Sequence, residues 1–63
     1  MPIIKIEMLK GRTIEQKREL VKRMTEVMNE VAKASFADTF VVIDEVEREN
    51  WAIGGTLFSD KGV

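Results

Sequence analysis

The sequence predicts an α+β fold: a single β-α-β unit with parallel strands and a short C-terminal hairpin, assembled into a homo-oligomer. Three observations carry this reading. Apolar residues alternate with a period of two between Pro2 and Leu9, as in a strand that buries one face. They recur at steps of three and four from Ile14 to Val31, the spacing of a helical stripe. The run Phe40-Val41-Val42-Ile43 then follows, apolar on both faces as in a covered strand.

In the first segment Ile4, Ile6 and Met8 share one face, while Ile3, Lys5, Glu7 and Leu9 share the other. Gly11 punctuates, and Thr13-Ile14-Glu15-Gln16 has the spacing of a capping box, in which the threonine hydroxyl and the glutamine amide close the first turn reciprocally. Ile14, Leu20, Val21, Met24, Val27, Met28 and Val31 then line one side of roughly five turns of helix. The other side is charged, with Glu19 and Lys22 each four residues before an opposite charge, Arg23 and Glu26. Lys17, Arg18, Lys22 and Arg23 have Glu15, Glu19 and Glu26 among them, which makes this a solvated face rather than a phosphate-binding patch.

The helix is expected to fade near Ala34-Ser35, and a second strand runs from Thr39 to Val46. Strand, helix and strand form one βαβ unit, whose right-handed connection makes the strands parallel. Glu47 to Asn50 reads as a loop, Trp51 to Leu57 as a hairpin turning on Gly54-Gly55, and Ser59 to Val63 as loosely ordered.

The 63 residues suffice for one domain, 1–63, and a chain this short is marginal without a disulfide, a metal or self-association. With no cysteine and no histidine, disulfides and the usual zinc sites are excluded, and a carboxylate-only site is the one metal option left; no metal is expected. Self-association is the remaining support. One helix covers one face of a two-stranded sheet, so either Ile3 and Leu9 or Ile4 and Met8 must meet another surface, and a second copy is the simplest one. A net charge of -1 gives no global attraction to nucleic acid or to an anionic membrane. No apolar run approaches the length of a membrane span, and the start of the chain lacks a secretory hydrophobic region. The chain is read as cytoplasmic.

With Cys, His and Tyr all absent, acid-base work falls to carboxylates, lysines or the chain terminus. Pro2 follows Met1, and a small second residue permits removal of the methionine. The product is a secondary amine fixed in a ring, and apolar surroundings disfavour its ammonium form and leave a free base at neutral pH. Such an amine needs no cofactor. Asp44 and Glu45 are adjacent in a strand and point to opposite faces, which argues against a carboxylate pair. Met8, Met24 and Met28 read as core filler.

The stretch PIIKIEMLKGRT followed by EQK, the VVIDEV strand and Trp51-Ala52-Ile53-Gly54-Gly55 together resemble the 4-oxalocrotonate tautomerase family, from Pro2 to about Leu57. The resemblance implies a cofactor-free isomerase acting on an enol or 2-oxo acid, with a small-molecule carboxylate as substrate and the proline amine as general base and then acid. It also implies protomers that pair into dimers and then a hexamer, a trimer of dimers, with sites built from neighbouring chains. Position by position, it puts Pro2 on the catalytic proline, Arg12 on an arginine that holds the substrate carboxylate, and Trp51 on an aromatic that keeps the pocket apolar; Leu9 joins these as a substrate-binding residue.

The sequence departs from the family pattern at Phe40, where the resemblance implies a second arginine supplied by another subunit. A phenyl ring cannot hydrogen-bond an anion, so a monoacid such as an aryl or alkyl enolpyruvate fits better than a dicarboxylate. Arg48, in the loop before Trp51, is the candidate cation to take over that role. If Met1 is retained, the Pro2 nitrogen is an amide without basicity. Two alternatives stand beside the isomerase: a hydratase or dehalogenase-type lyase acting on short unsaturated acids, which needs Asp44 or Glu45 to activate water, and a non-catalytic self-assembling domain.

Overall fold

A computed structural model describes residues 1–61 of the chain. Strand β1 (Ile3–Leu9) leads through a short link into helix α1 (Ile14–Ala32), which returns the chain to strand β2 (Phe40–Val46). β1 and β2 pair in parallel, in a register running from Ile3 opposite Phe40 to Leu9 opposite Val46. Two short strands, β3 (Ala52–Ile53) and β4 (Thr56–Leu57), form an antiparallel hairpin. Each long strand begins one residue later than its sequence pattern suggests. Pro2 nonetheless belongs to the ladder, because its carbonyl accepts the Phe40 N–H at 3.0 Å.

The helix starts where the capping box places it. The Gln16 N–H donates to the Thr13 hydroxyl at 3.1 Å, and the Thr13 N–H donates to the Gln16 side-chain oxygen at 2.9 Å. Replacing Thr13 by alanine removes one of these partners and is expected to lower stability by about 1 kcal/mol, read from urea unfolding at fixed protein concentration; an unchanged midpoint would contradict the cap's contribution. At the other end Lys33 takes a left-handed conformation (φ 60°) and its N–H turns back to the Met28 carbonyl. The helix therefore stops at Ala32, slightly before Ala34-Ser35. On its charged side Glu19 pairs with Arg23 at 2.6 Å, whereas no ion pair joins Lys22 and Glu26 among the described residues.

The helix covers the Ile4, Ile6 and Met8 face of β1 and the Val41, Ile43 and Glu45 face of β2, all half-buried. Leu20, Val21, Met24 and Met28 meet them from the helix. The other sheet face stays open: Ile3 is 63%, Phe40 49% and Val42 46% exposed, and Lys5, Glu7 and Asp44 lie among them. The predicted helical stripe is wider than the sheet beneath it, and Val27 and Val31 at its margin remain exposed.

No described residue is fully buried. The chain presents 4900 Å² to solvent, against about 4100 Å² for a compact protein of its mass. Its radius of gyration is 14.9 Å, where a compact domain of this length would have about 11 Å. Both excesses have one cause: a single chain forms a sheet open on one side and a hairpin arm extending from it. No helix among the described residues is long and apolar enough to cross a membrane.

Gly54 and Gly55 both have positive φ, 58° and 85°, the pair of left-handed residues that a two-residue turn of type I′ requires. Of the tail expected to be loose, Ser59 and Asp60 belong to a 3-10 turn, Phe58–Asp60, which follows directly on β4; Gly62 and Val63 lie outside the described residues.

Candidate active site

The parallel register divides the sequence-predicted site residues between the two ends of the sheet. Pro2 lies just before β1, half-buried, with its carbonyl bound to Phe40. Leu9 closes the far end of β1 opposite Val46, and the Lys10 N–H continues the ladder to the Val46 carbonyl at 3.0 Å. Arg12 follows in the exposed link to the helix. No carboxylate of the described residues pairs with its guanidinium.

Trp51 leaves the sheet at this same far end. β2 finishes at Val46, and Glu47 is held beside β1 by an ion pair with Lys10 at 3.1 Å. A 3-10 turn, Arg48–Asn50, then delivers Trp51 to the hairpin. Leu9, Arg12 and Trp51 thus belong to the end at which both long strands finish, and Pro2 to the end at which they start. Seven strand residues separate the ends, roughly 20 Å at about 3.3 Å each. An arginine side chain cannot span that distance, so Pro2 and Arg12 of one chain do not meet. Among the described residues a single chain also encloses no cavity for a small molecule.

Trp51 is fixed by neighbours that the sequence reading overlooked. Its ring meets Phe58 edge-on, with centroids 6.3 Å apart, and its carbonyl accepts the Phe58 N–H at 2.8 Å. Arg48 donates to the Phe58 carbonyl at 3.0 Å and lies over the Phe58 ring at 5.9 Å. The signal was present in the turn: with Gly54-Gly55 as a two-residue loop, Ile53 faces Thr56 and Ala52 faces Leu57, so the next pair out is Trp51 and Phe58. Arg48, considered as a replacement for the missing second arginine, is committed to this clasp.

Asp44 and Glu45 point to opposite faces, as their adjacency requires. Asp44 is on the open face, and Glu45 is half-buried under the helix, where the Lys17 ammonium pairs with it. That hydrogen bond holds the Glu45 carboxyl below its ordinary value of 4.5. It is an anion at neutral pH with a partner inside the fold.

Comparison with known proteins agrees with this architecture. The family described as "Tautomerase enzyme" matches residues 2–61. A 2-hydroxymuconate tautomerase of Bacillus subtilis is 42% identical over 60 residues, covering 95% of this chain and 97% of the relative. The crystal structure of a 4-oxalocrotonate tautomerase homologue superposes with a TM-score of 0.93 at 44% identity, covering 97% of each chain. A heterohexamer 4-oxalocrotonate tautomerase from Chloroflexus aurantiacus superposes with a TM-score of 0.88 at 30% identity, covering 97% of this chain and 98% of that one. The chain belongs to the 4-oxalocrotonate tautomerase family of the tautomerase superfamily, and it is a tautomerase, an isomerase.

Proposed function

We propose that the chain tautomerises an enol or 2-oxo acid in a site shared between copies, with Pro2 of one copy as the base and Arg12 of another as the carboxylate clamp. Removal of Met1 leaves the Pro2 nitrogen with a lone pair. The amine takes the proton from the enol oxygen; the C–O bond becomes a carbonyl, the double bond shifts, and the ring ammonium returns the proton to carbon. No proton is gained or lost overall, and no cofactor is required. The Arg12 fork pairs with the substrate carboxylate and draws electron density from the conjugated system as charge develops. Trp51 and Leu9 exclude water from the cleft, which strengthens that interaction and keeps the amine neutral.

The observation that carries this reading is the separation of Pro2 from Arg12, Leu9 and Trp51 along β1, together with the open sheet face, with Ile3, Phe40 and Val42 exposed among charges, that a second copy would cover. Copies packed side by side in opposite directions bring the two kinds of strand end together. A hexamer in the cytoplasm is the assembly we propose, supported by the hexameric relative. The lyase reading is not favoured: Glu45 is held by Lys17 beneath the helix, and Asp44 lies on the open sheet face.

The test is the state of the first residue. Protein whose mass lacks one methionine is expected to ketonise phenylenolpyruvate or 2-hydroxymuconate. Protein purified with Met1 still attached is expected to turn over neither above the buffer rate, because an amide nitrogen is not a base. Equal turnover by the two forms would overturn the reading.

A further inference from the structure

The root of the hairpin carries a second inference, which rests on the reading of Trp51 as a wall of the pocket. Strands β3 and β4 have two residues each, and every residue from 52 to 57 is exposed. A two-stranded ribbon this short has little stability of its own. The direction of the arm, and of Trp51 at its root, therefore depends on how that root is fastened.

The register makes Trp51 and Phe58 the next pair after Ala52 and Leu57. After a two-residue turn, an antiparallel pair at this position exchanges two main-chain hydrogen bonds. Only one of them is made here. The Phe58 N–H donates to the Trp51 carbonyl at 2.8 Å, whereas the Trp51 N–H turns back to the Arg48 carbonyl at 3.4 Å. The Phe58 carbonyl accepts instead from the Arg48 guanidinium, at 3.0 Å. A side chain thus supplies the bond that the ladder lacks, and its positive charge strengthens it.

The same guanidinium lies 5.9 Å from the centre of the Phe58 ring, within reach of cation-π attraction. That ring in turn meets the Trp51 indole edge-on, with centroids 6.3 Å apart. Among the described residues no carboxylate draws Arg48 away: Glu47, its neighbour, pairs with Lys10, and the other two ion pairs lie elsewhere. Arg48 holds Phe58 by both its carbonyl and its ring, and Phe58 holds the indole.

We propose that Arg48 is a positioning residue for the tautomerisation: by closing the root of the hairpin on Phe58, it fixes the Trp51 indole in the orientation that walls the pocket. Its cation acts on the fold of the arm and not on the substrate.

Trp51 is the chain's only tryptophan and tyrosine is absent, so tryptophan emission reports this one side chain. The experiment compares that emission, and steady-state kinetics on phenylenolpyruvate, in the processed wild type, Arg48→Ala, Trp51→Ala and the double variant, with native mass spectrometry to verify assembly. Arg48→Ala is expected to shift the emission to the red, to open the indole to acrylamide quenching and to lower kcat/KM by about tenfold, the scale of one charge-assisted hydrogen bond. Added to Trp51→Ala, the same change is expected to cost less than about twofold more, because a residue that acts through the indole has nothing left to place. Wild-type emission and kcat/KM in Arg48→Ala would overturn the inference. An equal loss with and without the indole would also overturn it, since Arg48 would then meet the substrate directly. If Arg48→Ala fails to assemble, Arg48→Met decides: it keeps most of the side chain's length and loses the donor, and unchanged emission and kinetics would overturn the inference. Wild-type kcat/KM in Trp51→Ala would instead remove the reading of Trp51 as a pocket wall.

Discussion

Replacing Pro2 by alanine is expected to lower kcat by about a hundredfold or more, the usual contribution of a positioned general base, while KM and assembly change little. Alanine also permits removal of Met1, so the variant keeps an α-amine. That amine is primary and turns freely about its N–Cα bond, so its lone pair has no fixed direction, whereas the pyrrolidine ring fixes the lone pair of the proline nitrogen; the main-chain carbonyl that accepts the Phe40 N–H is present in both. The loss is therefore one of placement, and it falls on the chemical step. The check is steady-state kinetics on phenylenolpyruvate with protein of verified mass; a kcat within twofold of wild type would contradict the assignment.

The second large effect concerns Arg12. Exposed and without an internal carboxylate partner among the described residues, its guanidinium is available to an incoming anion. Arg12→Ala removes a two-pronged, charge-assisted contact, and kcat/KM is expected to fall by about a hundredfold. KM should rise because the carboxylate is held less firmly, and kcat should fall because electron withdrawal toward that end is weaker in the transition state. Stability should be unaffected, since no fold contact is lost. Unchanged kinetics would place the carboxylate clamp elsewhere.

Much of this chain is legible from residue spacing. The strand periods, the capping box at Thr13 and Gln16 and the apolar run of β2 are local signals, and each element forms within a residue or two of where those signals put it. The opposite orientation of Asp44 and Glu45 follows from strand geometry alone. Other features depend on contacts between distant residues. Spacing alone does not fix which sheet face the helix covers, because both faces carry isoleucines; the three charges Lys5, Glu7 and Asp44 on one face, against Glu45 with its Lys17 partner on the other, are the physical reason for the outcome. The clasp of Arg48 and Trp51 around Phe58 depends on the hairpin register, which brings together residues ten and seven positions apart in the sequence. The site itself is only partly legible for a reason of geometry: Pro2 and Arg12 stand close in the sequence, yet an extended strand drives them to opposite ends of the sheet. Proximity along the chain here means separation in space.

That separation makes mixing the most direct measurement. Pro2→Ala and Arg12→Ala chains, each nearly inactive alone, are to be unfolded together in equal amounts, refolded and assayed on phenylenolpyruvate. If base and clamp come from different copies, half the sites have an intact Pro2 and half of those face an intact Arg12, so about a quarter of wild-type activity returns on random assembly. If both residues act within one chain, every site lacks one of them, and the mixture stays as inactive as its components.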